Sequence, residues 1–263
     1  METEKVKAHI VSWLKNYLET AKTKGFVIGV SGGIDSAVTS TLAALTKMPL
    51  LCVEMPIHQD ENQVNRAKKH ITWLKENFSN VTSVETDLTG IFDNFSTIVT
   101  HSKNEELDFL SLANTRARLR MTTLYHYAQI NGFLVLGTGN KVEDFGVGFY
   151  TKYGDGGVDV SPIADLVKTE VFELAKALNI IEEIQNAAPT DGLFGDERTD
   201  EAQIGATYPE LEWAMGITEK ANIDFTSFTA RQQEVFQIYT RLNTMNQHKM
   251  EPIPVCKIPL KFK

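Results

Sequence analysis

Cysteine is scarce in this sequence. Cys52 and Cys256 are the only two among 263 residues. They form no CxxC and no metal-ligand cluster, which argues against a disulfide scaffold or a zinc site. Long apolar runs are also missing. No stretch of 18 apolar residues occurs, so no membrane span is expected. The N-terminal METEKVKAHIVSWLKNYLET mixes charges with apolar residues at helical spacing and lacks the unbroken apolar segment of a signal peptide. The expected location is therefore the cytoplasm. Basic charge is outweighed, with 26 Lys and Arg against 34 Asp and Glu for a net charge of −8. That balance argues against a general nucleic-acid binder, although a local basic pocket for an anionic ligand is compatible with it. Repeats, low-complexity tracts and Gly/Ser linkers are absent, and one domain over residues 1–263 is expected. Two familiar nucleotide motifs are missing too. No G-x-x-x-x-G-K-[ST] occurs, and no G-x-G-x-x-G follows the first β-rich run.

What is present is an ordinary globular composition, 42% hydrophobic and 23% charged. Short apolar runs alternate with longer amphipathic segments. GFVIGV (Gly25–Val30), LLCVEMP, Val81 to Val84 and FLVL (Phe133 to Leu136) read as strands. Ile10, Trp13, Leu14, Tyr17 and Leu18 share a helical face, Asp60 to Phe78 and Leu110 to Ile130 suit helices, and Lys168 to Leu178 and Arg231 to Met245 do as well. This alternation predicts an α/β fold, a parallel twisted sheet with helices on both faces. Ligands of such sheets bind beyond the carboxyl ends of the strands. Two glycine-bearing segments lie at such ends, SGGIDS and GTGNKVED.

Ser31-Gly32-Gly33-Ile34-Asp35-Ser36 is the sharpest local signal. Its glycines permit positive φ and close backbone approach, and N–H groups opening a helix favour an anion. Taken alone the turn reads equally as a tight strand-to-helix connection. Asp35 adds information: a carboxylate in an anion nest repels the ligand unless a cation intervenes, and Mg²⁺ takes both carboxylate and phosphate oxygens. The competing reading is that Asp35 simply favours the helix N-terminus.

Three further segments draw attention. Asn114 to Arg120 places Arg116 and Arg120 on one helix face and Arg118 elsewhere, a candidate anion clamp in an acidic chain or else a solvated face. Gly137 to Asp144 offers the Thr138 hydroxyl and Glu143 as a second carboxylate, whereas Lys141 and Asp144 carry no assigned role. Phe149 to Asp159 sets aromatic residues in a glycine-rich loop, suited to stacking on a flat ring or to local packing. His58, His70, His101 and His126 carry no assigned function.

SGGIDS resembles the pyrophosphate loop of the N-type ATP pyrophosphatases. The stretch GFYTKYGDGGVDVSPIADLVKTEV, with Pro189-Thr190-Asp191, Thr199-Asp200-Glu201 and His248-Lys249, resembles the NAD synthetase family over essentially the whole chain. That resemblance implies a Rossmann-like fold of the ATP-pyrophosphatase type. It implies ATP-dependent amidation of deamido-NAD by ammonia to NAD, with AMP and pyrophosphate released through an NAD-adenylate. By position it implies ATP binding by Gly29, Val30, Ser31, Gly32, Gly33, Ile34, Asp35, Ser36, Thr138, Lys168 and Thr190. Mg²⁺ would sit on Asp35 and Glu143, and deamido-NAD on Arg118, Lys152, Asp159, His248 and Lys249. Asp35, Glu143, Lys168 and Asp159 are the candidate catalytic groups, with Asp159 a candidate for orienting ammonium. The family also implies a homodimer and, with no amidase segment discernible, free ammonia as donor. Relatives commonly read GYFTKYGDGG where this chain has Phe149 before Tyr150, so the ring that stacks on the pyridine stays open. Two competing readings are another ATP pyrophosphatase, such as a tRNA thiolation enzyme, and a noncatalytic nucleotide sensor. The scattered cysteines and negative charge weigh against the first, and the Asp35–Glu143 pair against the second.

Overall fold

A computed structural model describes residues 1–189, 199–218, 220 and 223–263. Four strands form the sheet: β1 (Gly25–Gly29), β2 (Leu50–Glu54), β3 (Val81–Glu85) and β4 (Phe133–Val135). Their order is β3-β2-β1-β4, and every pairing is parallel. The register sets Phe26 against Leu50 and Leu134, and Glu54 against Glu85. The predicted strands and their parallel arrangement are thus found.

Alternation along the strands divides the core by face. Phe26, Ile28, Leu50 and Cys52 point to one face. There they pack against α1 (Thr3–Ala21), α2 (Ile34–Leu45), α3 (Glu61–Asn77) and α6 (Lys168–Ala177) through Leu14, Leu18, Val38, Leu42, Leu74 and Leu174. Val27, Val53 and Val135 point to the other face, covered by α4 (Thr89–Ile98) and α5 (Glu105–Asn131) through Phe92, Leu124 and Ala128. Helices therefore clothe both faces, as right-handed crossovers between parallel strands require.

Local signals explain several boundaries. Asp60 caps α3 by accepting from Asn62 N and Gln63 N, and Asn104 caps α5 by accepting from Glu106 N and Leu107 N. Gly132 ends α5 in the left-handed conformation at φ 68°. The helix foreseen from Leu110 starts earlier, because its polar first turn of Glu105, Glu106 and Asp108 carries little apolar signal yet suits a helix N-terminus. After β4 the chain makes a short π-helical turn, Lys141–Val147, which no periodicity announced. A third apolar cluster lies beside the sheet. It joins this turn to α7 (Asp200–Ile204), α8 (Tyr208–Thr218) and α9 (Ala230–Met250) through Val142, Val147, Ile204, Leu211, Ala214, Val235 and Tyr239.

Candidate active site

Everything proposed from sequence as the anion turn lies at the carboxyl end of β1, where α2 begins. Gly32 adopts φ 83°, and a Cβ there would meet Gln63 O at 2.5 Å, so only glycine fits. The two serines brace the turn. Gly33 N donates to Ser31 Oγ (3.2 Å), and Ser36 Oγ donates to Gly33 O (3.0 Å). Their hydroxyls meet at 3.1 Å. Arg66 Nε donates to Gly32 O from α3 (3.3 Å). Val30 N donates to Val53 O, and Ile34 is buried, so the turn is fixed from below.

Asp35, in the first turn of α2, faces the start of the π-helical turn. Lys168 Nζ donates to Asp35 Oδ2 at 2.6 Å and to Glu143 Oε1 at 2.9 Å. The lysine side chain is only 3% exposed and the carboxylates 18% and 16%. Burial lowers the affinity of Lys168 for its proton, but the two carboxylates outweigh it and raise the pKa above the ordinary lysine value. Burial raises Asp35 despite the lysine. For Glu143 the same burial is outweighed by the lysine charge and by hydrogen bonds from Tyr208 and Lys168, which hold it ionised. Asn140 is fully buried and organises the pair. Its Nδ2 donates to Asp35 Oδ1 (3.3 Å), while its Oδ1 accepts from Val142 N and Glu143 N. Tyr208 OH donates to Glu143 Oε1 and lies 3.2 Å from Asp200 Oδ2.

Around this cluster is a cavity of about 290 Å³ along the carboxyl edge of the sheet. Gly29 to Ser36, Thr138, Glu143 and Lys168 line it, as do Arg120 and Asp144. Thr190 lies outside the described residues. A Cβ at Gly139 would fall 2.0 Å from Asp144 Oδ2, so the glycine makes room for that carboxyl. Burial, Glu143, Asp155 and Asp35 together push Asp144 up to about 8. Arg120 reaches inward to donate to Met55 O (3.0 Å) and Gln59 Oε1 (2.7 Å), and burial lowers it to about 10. Of the two rings left open, Phe149 lines the cavity, and Tyr150 lies beside Lys249 with the ammonium 5.6 Å from its ring centre.

Four of the five residues foreseen for the larger substrate meet at an outer rim. Arg118 Nη2 donates to Lys152 O (3.4 Å), and Lys152 Nζ donates to His248 O. Lys249 Nζ donates to Gly148 O and Tyr150 O, both at 2.9 Å. Asp159 makes its hydrogen bonds elsewhere. Its oxygens accept from Tyr125 OH (2.9 Å) and Val135 N (2.8 Å), which ties the loop to α5 and β4.

Sequence reasoning overlooked Asn140 and Tyr208 and gave Asp144 no role, and it read Arg120 only as part of a candidate anion clamp. Asn140 had a readable signal, since Asn140 and Glu143 stand three apart like the partners of a helix-start cap. Tyr208 had none, because its partner Glu143 is 65 residues away. Arg120 was noticed only as half of a helix face, and nothing in its surroundings showed that it points into the sheet edge.

Comparison with known proteins gives consistent results. The sequence model of the NAD synthase family matches residues 6–253. An NH3-dependent NAD+ synthetase of Methanosarcina mazei is 36% identical over 264 residues, covering 97% of this chain and 98% of that protein. Among solved structures, NMN synthetase from Francisella tularensis superposes with a TM-score of 0.83 at 29% identity, covering 98% of this chain and 100% of the other. The NH3-dependent NAD synthetase from Campylobacter jejuni superposes at 0.79 with 23% identity, covering 98% and 100%, a likeness of fold.

Proposed function

The chain belongs to the NAD synthase family, and from that premise we propose that it amidates deamido-NAD with ammonia and ATP, yielding NAD, AMP and pyrophosphate. The observation that carries this reading is the buried Lys168 held between Asp35 and Glu143 at the mouth of the glycine turn. That arrangement suits chemistry on phosphate more than simple nucleotide retention.

An ionised carboxylate resists attack by ammonia, so the nicotinate oxygen first attacks the α-phosphorus of ATP. The bond to the β-phosphate oxygen breaks and pyrophosphate leaves. Ammonia then attacks the carbonyl carbon, a C–N bond forms, AMP departs with the former carboxylate oxygen, and the nitrogen sheds a proton. The glycine-turn N–H groups and the Lys168 ammonium face the charge that moves onto the phosphates. No covalent enzyme nucleophile is needed, so catalysis rests on positioning and electrostatics. The rim of Arg118, Lys152, His248 and Lys249 would hold the dinucleotide.

The donor set also fits Mg²⁺. Asp35 and Glu143 supply hard carboxylate oxygens that already converge on one cation, the Lys168 ammonium. Among the described residues no cluster of three His, Cys, Asp or Glu forms a cage made by protein alone. Two carboxylates completed by phosphate and water suit Mg²⁺, which would neutralise phosphate charge there.

A second copy completes the proposal. Ile91, Ile98, Leu107 and Leu110 on α4 and α5 are each about half or more exposed, an apolar face suited to a homodimer. Among the described residues no helix is long and apolar enough to cross a membrane, and we place the protein in the cytoplasm. The likeness to NMN synthetase adds a second substrate reading, amidation of the mononucleotide carboxylate. The test is incubation with Mg-ATP, ammonium and either deamido-NAD or nicotinate mononucleotide, with separation of the nucleotides. NAD and AMP in equal amounts support the main reading. Faster turnover of the mononucleotide shifts the assignment to that substrate. ADP instead of AMP overturns both. Glutamine in place of ammonium checks the nitrogen donor.

A further inference from the structure

One segment of this chain leaves the fold. After Glu251, where α9 ends, residues 252–263 are all exposed. Among the described residues their only backbone hydrogen bonds form a local turn, from Phe262 N to Pro259 O and from Lys263 N to Leu260 O. The composition is not that of a solvated linker. Ile253, Val255, Ile258, Leu260 and Phe262 are between 50% and 87% exposed. Pro252, Pro254 and Pro259 hold the arm extended and deny it a helix. Lys257, Lys261 and Lys263 make it basic, with no acid after Glu251. Large apolar side chains left together in water mark an interaction surface.

A complementary face lies on the same chain. Helix α4 is apolar on two sides. Phe92 is buried against the sheet, while Ile91, Phe95 and Ile98 recur at i, i+4 and i+7 as an exposed stripe. Beside it, α5 exposes Leu107 and Leu110 one turn apart. The charge here is of the opposite sign. Residues 87–110 hold Asp87, Asp93, Glu105, Glu106 and Asp108 against one lysine, Lys103. His58 and His101 already pair with Asp93 and Asp108. Glu105 and Glu106, in the first turn of α5, carry most of the remaining negative charge.

We propose that residues 252–263 dock on the α4–α5 face of a second copy of this chain. The apolar side chains of the arm cover the exposed stripe of α4, and its lysines lie toward the acidic first turn of α5. In a single chain both surfaces stay in water. A two-fold pair buries both at once, because each copy offers one arm and one face. The arm leaves the fold beside α5: Arg118 of that helix donates to Lys152 O, and Lys152 Nζ donates to His248 O in the last turn of α9. An extended segment of this length reaches about 40 Å, enough to cross to a neighbour. The prolines lower the entropy lost on docking. The exchange also anchors the rim, because His248 and Lys249 immediately precede the arm. A basic, apolar segment suits an anionic lipid surface as well, but the matching face on the chain itself favours a second copy. This inference rests on the homodimer reading and not on the amidation reading.

Cys256 supplies the probe, since it is exposed in the arm whereas Cys52 is buried. The mass of the full chain in solution is measured by light scattering. The protein is then labelled with a thiol-reactive benzophenone, irradiated, and resolved by denaturing electrophoresis and peptide mass spectrometry. The expected result is a dimer crosslinked between chains, from Cys256 to peptides within residues 89–110. Leu260→Asp with Phe262→Asp, at two exposed side chains, is expected to raise the dimer dissociation constant by about 100-fold or more. Phe262→Leu, which keeps an apolar group, is expected to change it little. A monomer overturns the homodimer reading and this proposal together. A dimer whose crosslinks stay within one chain, or join arm to arm, overturns the docking alone. So does a dissociation constant unmoved by the double variant. Sedimentation with phosphatidylglycerol vesicles checks the lipid alternative. Vesicle binding that the double variant abolishes while the dimer persists overturns the proposal and assigns the arm to a membrane surface.

Discussion

The inner cluster and the outer rim of this site are built on different principles. Inside, Asp35, Glu143 and Lys168 are almost wholly buried and satisfy one another's charge. At the rim, Arg118, Lys152 and Lys249 spend their cationic groups on backbone carbonyls of Lys152, His248, Gly148 and Tyr150. Their charge is uncompensated by those contacts and remains available to an anionic ligand. The inner groups are fixed before any ligand arrives, whereas the rim presents charge toward one. The chemistry thus sits where the dielectric is low and recognition where water still reaches.

The largest effect should come from removing the shared cation. Lys168→Met leaves two buried carboxylates facing each other, and breaking a buried pair in this way costs about 3–5 kcal/mol. Turnover is expected to fall by at least about 10³-fold. AMP release and urea denaturation measure the two effects, and turnover within tenfold of the unaltered protein would remove Lys168 from the inner cluster's chemistry.

Next in size is a pH effect on stability from beneath the cluster. His70 of α3 is fully buried, 2.9 Å from Ser40 on the helix that carries Asp35, and stacked on Trp73. Burial lowers it from 6.5 to about 4. The unfolded chain therefore binds a proton between these values that the folded chain does not. The contribution of His70 to stability is full above pH 6.5 and declines as pH falls toward about 4, by up to about 3 kcal/mol. Between pH 7 and 4.5 the urea midpoint of the unaltered protein should fall relative to that of His70→Leu, and parallel midpoints would remove His70 as the source.

Smaller effects separate orientation from binding. Tyr208→Phe removes the hydroxyl that holds Glu143 and is expected to lower kcat about tenfold, with ATP affinity little changed. An unchanged kcat would show that Asn140 and Lys168 suffice to orient Glu143. Lys249→Ala should raise the KM for deamido-NAD about fivefold and leave kcat nearly intact. A fall in kcat instead would erase the distinction between rim and cluster.

Much of the frame was legible in the sequence. The strand runs, the glycine turn and the long helices follow from periodicity and turn residues, all local features. The turn could be placed at a strand end because a short β-rich run precedes it directly. The π-helical turn was not legible, because its seven residues are too few to show a period, and its form depends on Asn140 capping it. Asp144 was passed over as a loop residue, since nothing local shows that Gly139 opens a space for it.

By itself the sequence determined the alternation of strand and helix, the glycine turn at the end of β1, and a resemblance that named most of the candidate residues. Only the tertiary structure decided which of them meet. Lys168 stands 133 residues from Asp35 and 25 from Glu143, and the crossover that sets β4 beside β1 closes those separations. The same topology ties Asp159 to Tyr125 on α5, 34 residues before it in the chain. Local sequence governs local conformation, because turns and caps act within a few residues. A side chain's burial and its partners depend on how distant elements pack.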